Sequence, residues 1–150
     1  MAAIRLFVSD IDGTLVRNDK TLSEGNVAAV RRLVEAGIAV SLISARPPSG
    51  MLWISKKLGL TGPFAAFNGG TLFDADGSLR SAARLDDDVA GDCLTLFGGR
   101  AEIWLFSGGR WYAQDGTEPH SQRERLAASL EPEVRQDFTG LAHAVDKIVA

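Results

Sequence analysis

The apolar positions along this chain alternate between short runs typical of strands and spaced positions typical of helices. The first run covers residues 4–8, and its near-continuous aliphatic character predicts a strand buried on both faces. A helix follows, with Ser23 as its N-cap and Gly37 just beyond its end. A second apolar run at residues 38–43 predicts another buried strand. This strand–helix–strand order predicts two parallel, neighbouring strands.

The same alternation continues to about residue 82. Pro48 opens a second predicted helix that ends at Gly59. A short strand over residues 64–67 and a returning strand over residues 71–73 come next. The letters Asp-Ala-Asp-Gly at residues 74–77 stand between two short strand-like runs, so we interpret them as a hairpin turn and not as a site.

The pattern changes in the second half of the chain. An acidic helix start precedes a helix over residues 89–97, and a strand hairpin over residues 102–113 carries most of the tryptophans. A further helix and a last strand complete the prediction, over residues 121–130 and 144–149. We therefore predict two domains, residues 1–83 and residues 84–150.

Composition excludes several classes of protein. A net charge of −3 and scattered Lys and Arg do not suggest a nucleic-acid interface, so the aromatic hairpin is interpreted as packing. No apolar stretch approaches the length of a membrane span, and the start lacks the pattern of a signal peptide. The single Cys93 is interpreted as a small buried hydrophobe. We expect a cytoplasmic protein without nucleic-acid or membrane partners.

Polar residues follow each of the three predicted parallel strands. Asp10 and Asp12 end the first strand, where two carboxylates need a cation, hydrogen bonds or a chemical task. Ser44 follows the second strand and Asn68 the third, so all four residues are expected at one edge of the sheet. The alternatives are an Asx turn at Asp12, a helix cap at Ser44 and an Asn-Gly turn at Asn68. The two histidines, His120 and His143, lack metal-ligand spacing.

Three segments in this order resemble the haloacid dehalogenase superfamily of phosphohydrolases, most closely its Cof-type branch. They are Asp10-Ile11-Asp12-Gly13-Thr14, Ser44-Ala45-Arg46-Pro47 and Asn68-Gly69-Gly70. The resemblance covers residues 4–82 well and the remainder loosely. It implies an α/β fold, in which a Rossmann-like parallel sheet forms the core and an α+β cap domain is inserted.

The resemblance also implies roles for individual residues. Asp10 would be the nucleophile that becomes an aspartyl-phosphate, and Asp12 the general acid and base. Mg²⁺ would be bound by the Asp10 carboxylate, the backbone carbonyl of Asp12 and an acid from a later motif. Phosphate or substrate contacts are implied for five residues: Gly13, Thr14, Ser44, Arg46 and Asn68.

Two parts of the family pattern are missing from this sequence. We find neither the third-motif lysine nor the fourth-motif acidic segment, and Lys147 stands in a strand-like setting that does not match the third motif. The resemblance therefore implies that the chain stops inside the cap, which would leave an incomplete sheet with an exposed edge that a second copy could cover.

The sequence predicts a Mg²⁺-dependent phosphatase of small phosphorylated metabolites, with sugar phosphates favoured. The alternatives are a catalytically silent binding or assembly module with the same core, and a phosphomutase-type phosphotransferase.

Overall fold

The computed structural model describes residues 4–117 and 119–150. The chain divides into two compact units, Met1–Ser81 and Ala82–Ala150. This division lies two residues before the boundary predicted from the sequence. Within the described residues, no helix is both long enough and apolar enough to cross a membrane.

The first unit is a five-stranded sheet with two helices. The strands lie in the order β1-β2-β3-β4-β5; β1, β2 and β3 are parallel, and β4 is antiparallel to β3. A single 3₁₀ turn, Phe67–Gly69, joins β3 to β4. In chain order the elements are β1 Leu6–Asp10, α1 Glu24–Glu35, β2 Ala39–Ile43, α2 Pro48–Leu58, β3 Phe64–Ala66, β4 Thr71–Phe73 and β5 Leu79–Ala82.

Local sequence signals set the ends of both helices. The hydroxyl of Ser23 accepts a hydrogen bond from the Asn26 N–H at 3.1 Å, as expected of an N-cap. Gly37 and Gly59 have φ of +76° and +67° just beyond the two helices, a conformation that costs glycine little. The helices cover a buried core that includes Val30, Leu42, Met51, Ile54 and Phe64.

The second unit is a four-stranded sheet with two helices. Its strands lie in the order β8-β7-β6-β9, and β6 and β7 form the predicted hairpin. β8 is missing from the sequence prediction, because two residues are too few to show a pattern. The elements are α3 Asp87–Phe97, β6 Trp104–Ser107, β7 Arg110–Ala113, α4 Pro119–Ala128, β8 Glu133–Val134 and β9 Val145–Val149.

The predicted burial of the first strand is wrong. Leu6, Phe7 and Val8 are 57%, 43% and 52% exposed, and within the described residues β1 pairs only with β2. An edge strand leaves backbone groups unpaired on its outer side, and the exposure of three successive side chains means that both faces of β1 are uncovered as well among the described residues. The expectation of an exposed sheet edge is thus met at β1, the strand that ends in Asp10.

The turn at residues 74–77 has the predicted local role. The N–H of Gly77 donates to the Asp74 carbonyl at 2.9 Å, and the Asp76 carboxylate accepts from the N–H and hydroxyl of Ser78. The Asp74 carboxylate accepts from the Arg80 guanidinium. Both acids are therefore used within the β4–β5 connection.

Candidate active site

The carboxyl ends of the three parallel strands meet through backbone contacts. Asp10 is the last residue of β1 and lies beside Ile43 of β2. The next residue, Ser44, donates its N–H to the Ala65 carbonyl of β3 at 3.0 Å. The Ser44 carbonyl in turn accepts from the Asn68 N–H at 2.8 Å. The sheet therefore brings the three predicted polar positions to one edge.

Arg46 forms a two-point ion pair with Asp12. Its Nε lies 2.7 Å from Asp12 Oδ2 and its Nη2 lies 2.8 Å from Asp12 Oδ1. Its Nη1 donates to the Gly50 carbonyl at 3.0 Å, and only 2% of the side chain is exposed. The sequence predicts Arg46 as a substrate contact, whereas here all three of its guanidinium nitrogens contact Asp12 or Gly50.

Lys20 is a site residue that the sequence did not indicate. Its Nζ lies 2.6 Å from Asp12 Oδ1, the same oxygen that Arg46 contacts. Lys20 comes from the polar loop between β1 and α1, and a lysine in such a loop has no pattern that distinguishes it from a solvated side chain. Its position beside Asp12 depends on how this loop folds back over the strand end.

The two cations keep Asp12 ionised. The Arg46 hydrogen bonds, followed by the Lys20 hydrogen bond and the charges of both side chains, outweigh partial burial and lower the pKa of Asp12 from 3.8 to about 2. Asp12 is thus a carboxylate at neutral pH. Its two oxygens together accept three hydrogen bonds.

We expect this pKa to appear in the acid stability of the protein. A carboxyl group whose pKa is lower in the folded state stabilises the fold above its unfolded pKa and loses that contribution as pH falls through the folded pKa. The Asp12 contribution should therefore be complete above about pH 5 and vanish near pH 2, with a size of about 1 kcal/mol because a third of the side chain meets solvent.

Urea unfolding of wild type and Asp12→Asn across this pH range measures the effect. The wild type should lose more stability on acidification than the variant does. The carboxyl groups of four exposed aspartates also have lowered pKa values, but they titrate in both proteins and cancel: Asp19, Asp76, Asp115 and Asp137. Equal losses in both proteins would contradict an ion-pair origin.

The carboxylate of Asp10 differs from that of Asp12. Within the described residues it has no hydrogen bond or ion pair, and the residue is exposed. Mg²⁺ commonly binds one or two protein carboxylates and completes its octahedron with water and phosphate oxygens. The exposed Asp10 carboxylate is suited to be one such ligand. The described residues contain no group of three or more His, Cys, Asp or Glu side chains that could enclose a metal by themselves.

The remaining predicted residues surround this edge of the sheet. Gly13 has φ of +79°, which a side chain would strain, and Thr14 is exposed beside it. The Ser44 hydroxyl accepts from the Arg46 N–H at 3.3 Å, which leaves its own proton free to donate, although Ser44 is buried. Asn68 is exposed with φ of +57°.

Two aspartates and Lys147 in the second half of the chain have local partners. Asp137 accepts from Thr139, and Asp146 pairs with Arg84 at 3.1 Å. Lys147 lies in β9 with its Nζ 5.2 Å from the centre of the Phe106 ring. The prediction that Lys147 lies in a strand is confirmed.

Named phosphatases are among the proteins similar to this chain. A phosphoglycolate phosphatase of Thermoplasma acidophilum is 36% identical over 77 residues, which cover 51% of this chain and 34% of the relative. A 5-amino-6-(5-phospho-D-ribitylamino)uracil phosphatase of Bacillus subtilis is 36% identical over 64 residues, covering 43% of this chain and 24% of the relative. The aligned part of this chain thus spans about a third of the first relative and about a quarter of the second.

Solved structures and a family model match nearly the whole chain. A haloacid dehalogenase-like hydrolase from Bacteroides thetaiotaomicron superposes with a TM-score of 0.79 and 24% identity, covering 97% of this chain and 57% of that one. A second, from B. subtilis, has a TM-score of 0.75 and 22% identity, covering 97% and 59%. The family model for haloacid dehalogenase-like hydrolases matches residues 7–150. The predicted resemblance is confirmed, and the chain belongs to the haloacid dehalogenase-like hydrolase family.

Proposed function

We propose that this chain carries the nucleophile half of a phosphatase site for small phosphorylated metabolites. The observation that carries the proposal is the contrast between two neighbouring carboxylates. Asp10 is exposed and unpaired among the described residues, whereas Asp12 is held by Arg46 and Lys20. An unpaired carboxylate can attack, and a fixed one can orient a proton transfer.

In the proposed reaction an Asp10 carboxylate oxygen attacks the phosphorus of a phosphate monoester. The bond from phosphorus to the ester oxygen breaks, and the leaving alcohol takes a proton from Asp12. Water then attacks the aspartyl-phosphate and gives its proton to Asp12. The bond between phosphorus and Asp10 breaks, which releases inorganic phosphate and restores the Asp10 carboxylate and the protonated Asp12 carboxyl group.

The lowered pKa of Asp12 supports one of its two roles directly. An ionised Asp12 is ready to accept the proton of the attacking water. Protonating the leaving oxygen requires a proton on Asp12 that Arg46 and Lys20 disfavour, so the acid role depends on a change in those contacts when substrate binds. The Ser44 hydroxyl and the backbone that follows Gly13 are the proposed phosphoryl contacts.

Mg²⁺ is the proposed cofactor, held by the Asp10 carboxylate and the Asp12 carbonyl. When bound it would neutralise charge between the carboxylate and the anionic phosphoryl group. The first unit is then the catalytic core and the second unit part of a cap. Sugar phosphates remain the favoured substrates by family analogy. The cytoplasmic location remains a prediction.

Phosphate release from p-nitrophenyl phosphate tests the proposal. Purified protein should release phosphate with Mg²⁺ and lose that activity with EDTA, and Mg²⁺ should restore it. Phosphoryl transfer to an added sugar in place of water would indicate the phosphotransferase alternative. Protein that binds phosphate but never turns over would favour the silent binding module, an alternative suggested by the third and fourth motifs that we do not find in this sequence.

We also propose that the exposed edge of β1 pairs with β1 of a second copy. An antiparallel arrangement centred on Phe7 places Leu6 opposite the partner's Val8 and Arg5 opposite the partner's Ser9, so no like charges face each other. Such a self-complementary contact forms a twofold dimer. The exposed apolar side chains of β1 would become buried at the interface.

Leu6→Lys should weaken this association. A lysine on an edge strand opposes strand pairing, and because Leu6 is already exposed the fold should be little affected. Light scattering coupled to gel filtration should give a dimer for wild type and a monomer for the variant. Leu79→Lys is the matched control, because Leu79 is 54% exposed on β5, at the other edge of the same sheet. A wild type that is monomeric at every concentration would contradict the proposal.

A further inference from the structure

Lys20 has a backbone conformation that is unusual for lysine. Its φ is +64°, in the left-handed region that Gly, Asn and Asp tolerate better. Asn18 and Asp19 immediately precede it, so residues suited to that conformation are present but do not occupy the position. Backbone outliers of this kind persist where the surroundings fix them and often lie at functional sites.

The loop around Lys20 is fixed by local bonds. The Lys20 N–H donates to the Arg17 carbonyl at 2.9 Å, and the Arg17 N–H donates to the Thr21 carbonyl at 2.9 Å. The Asp19 carboxylate accepts from the N–H and hydroxyl of Thr21. Val16 forms bridges with both Asp12 and Leu22, which fold the loop back onto the end of β1. The backbone therefore carries the Lys20 ammonium to Asp12.

Of the two cations on Asp12, Lys20 is the exchangeable one. Arg46 makes two bonds to the carboxylate and one to Gly50, and its side chain is 2% exposed. The Lys20 ammonium makes one hydrogen bond to the carboxylate, and 29% of the side chain is exposed. An ammonium on a flexible stem can move to another anion without disturbing the core.

Lys20 also lies on the side of the site where the leaving group is expected. In the proposed reaction the ester oxygen accepts a hydrogen bond from the protonated Asp12 carboxyl group, at a typical distance of about 3 Å. Lys20 Nζ is 2.6 Å from the same carboxylate. An anionic group one or two carbons from the ester oxygen would therefore come within reach of the ammonium.

We propose that Lys20 is a specificity-determining residue that transfers from Asp12 to a carboxylate or second phosphate on the leaving group of the substrate. This inference rests on the proposed phosphatase function and narrows its substrate class to phosphate esters with a second anionic group. Lys20 is not needed for attack on phosphorus, so an ester with an uncharged leaving group should not depend on it in the same way.

Two esters with the same two-carbon skeleton test the inference: phosphoglycolate, which has a carboxylate, and ethyl phosphate, which does not. Wild type should have the higher kcat/KM for phosphoglycolate. Lys20→Asn should lower that preference by about ten- to a hundredfold, as expected for a lost charge-assisted hydrogen bond, and Lys20→Arg should retain part of it. The loss should be mainly in KM.

Thermal unfolding separates this role from a structural one. Because Asn tolerates the left-handed conformation, the relief of backbone strain should offset the loss of the partly exposed Lys20–Asp12 ion pair, so Lys20→Asn should melt close to the wild-type temperature while losing the preference. Arg17→Asn is the control, since Arg17 belongs to the same turn but its side chain is exposed. Arg17→Asn should keep the preference, whereas a Lys20→Asn variant that keeps it would overturn the inference.

Calorimetric binding of the same two esters to Asp10→Asn, and to the Asp10→Asn, Lys20→Asn double variant, removes the dependence on turnover. Tighter binding of phosphoglycolate only when Lys20 is present supports the inference, even if wild type hydrolyses neither ester and the phosphatase proposal fails. Equal binding of the two esters, or no binding of either, overturns the inference. Hydrolysis without any carboxylate preference leaves the phosphatase proposal standing and rejects the role of Lys20.

Discussion

Asp10→Asn is expected to lower kcat for phosphate release by at least about a thousandfold, because an amide cannot replace a carboxylate as the attacking nucleophile. The side chain is exposed and has no partner among the described residues, so the substitution breaks no hydrogen bond or ion pair there. The free energy of unfolding should therefore change by less than about 0.5 kcal/mol. Steady-state release of p-nitrophenol and urea unfolding measure the two effects.

The chain contains a matched control for Asp10→Asn. The turn at residues 74–77 repeats the letters Asp-x-Asp-Gly, and Asp76→Asn makes the same chemical change in that turn. Within the described part of the chain, the Asp76 carboxylate hydrogen-bonds only to Ser78, in the β4–β5 connection. Its variant should retain activity. Full activity in Asp10→Asn would refute the assignment of the nucleophile.

Arg46→Ala is expected to cost about 3 kcal/mol of folding stability at neutral pH. Removing one member of a buried pair leaves the other without its partner, at a usual cost of about 3–5 kcal/mol. The partial exposure of Asp12 and its remaining contact with Lys20 favour the lower end of that range. The Gly50 carbonyl also loses its donor, and the side chain leaves a buried space. Urea unfolding at neutral pH measures the loss.

Arg80→Ala provides the comparison. The Arg80 Nε lies 2.8 Å from both oxygens of Asp74, but the Arg80 side chain is 55% exposed. Exposed ion pairs contribute at most about 1 kcal/mol. Similar losses in the two variants would mean that burial does not determine the strength of the Arg46 contact.

Much of the first unit could be predicted from the sequence because its signals are local. Ser23 and Gly37 fix the ends of α1 through hydrogen bonds to nearby residues. Pro48 begins α2 because its ring presets the helical φ, and the Gly59 N–H bonds to nearby carbonyls at the other end. Parallel strands with short connections bring their carboxyl ends to the same edge, which explains why the positions of Asp10, Ser44 and Asn68 followed from the order of the elements.

The burial of β1 could not be predicted in the same way. An apolar run indicates that a strand suits a position covered on both faces of the sheet, but it does not supply the elements that cover those faces. Leu6, Phe7 and Val8 point alternately to the two faces of the sheet and all are exposed, so among the described residues neither face of this edge strand is covered. Burial depends on the whole sheet, whereas the apolar pattern depends only on the strand.

The sequence by itself determined the family, the order of the elements and the two acids at the end of β1. Only the tertiary structure decided what those acids contact. Asp12 and Arg46 are 34 positions apart, and Lys20 reaches Asp12 through a turn with a left-handed residue. Side-chain contacts of this kind have no period in the sequence, because they depend on the distance and direction of groups that folding brings together.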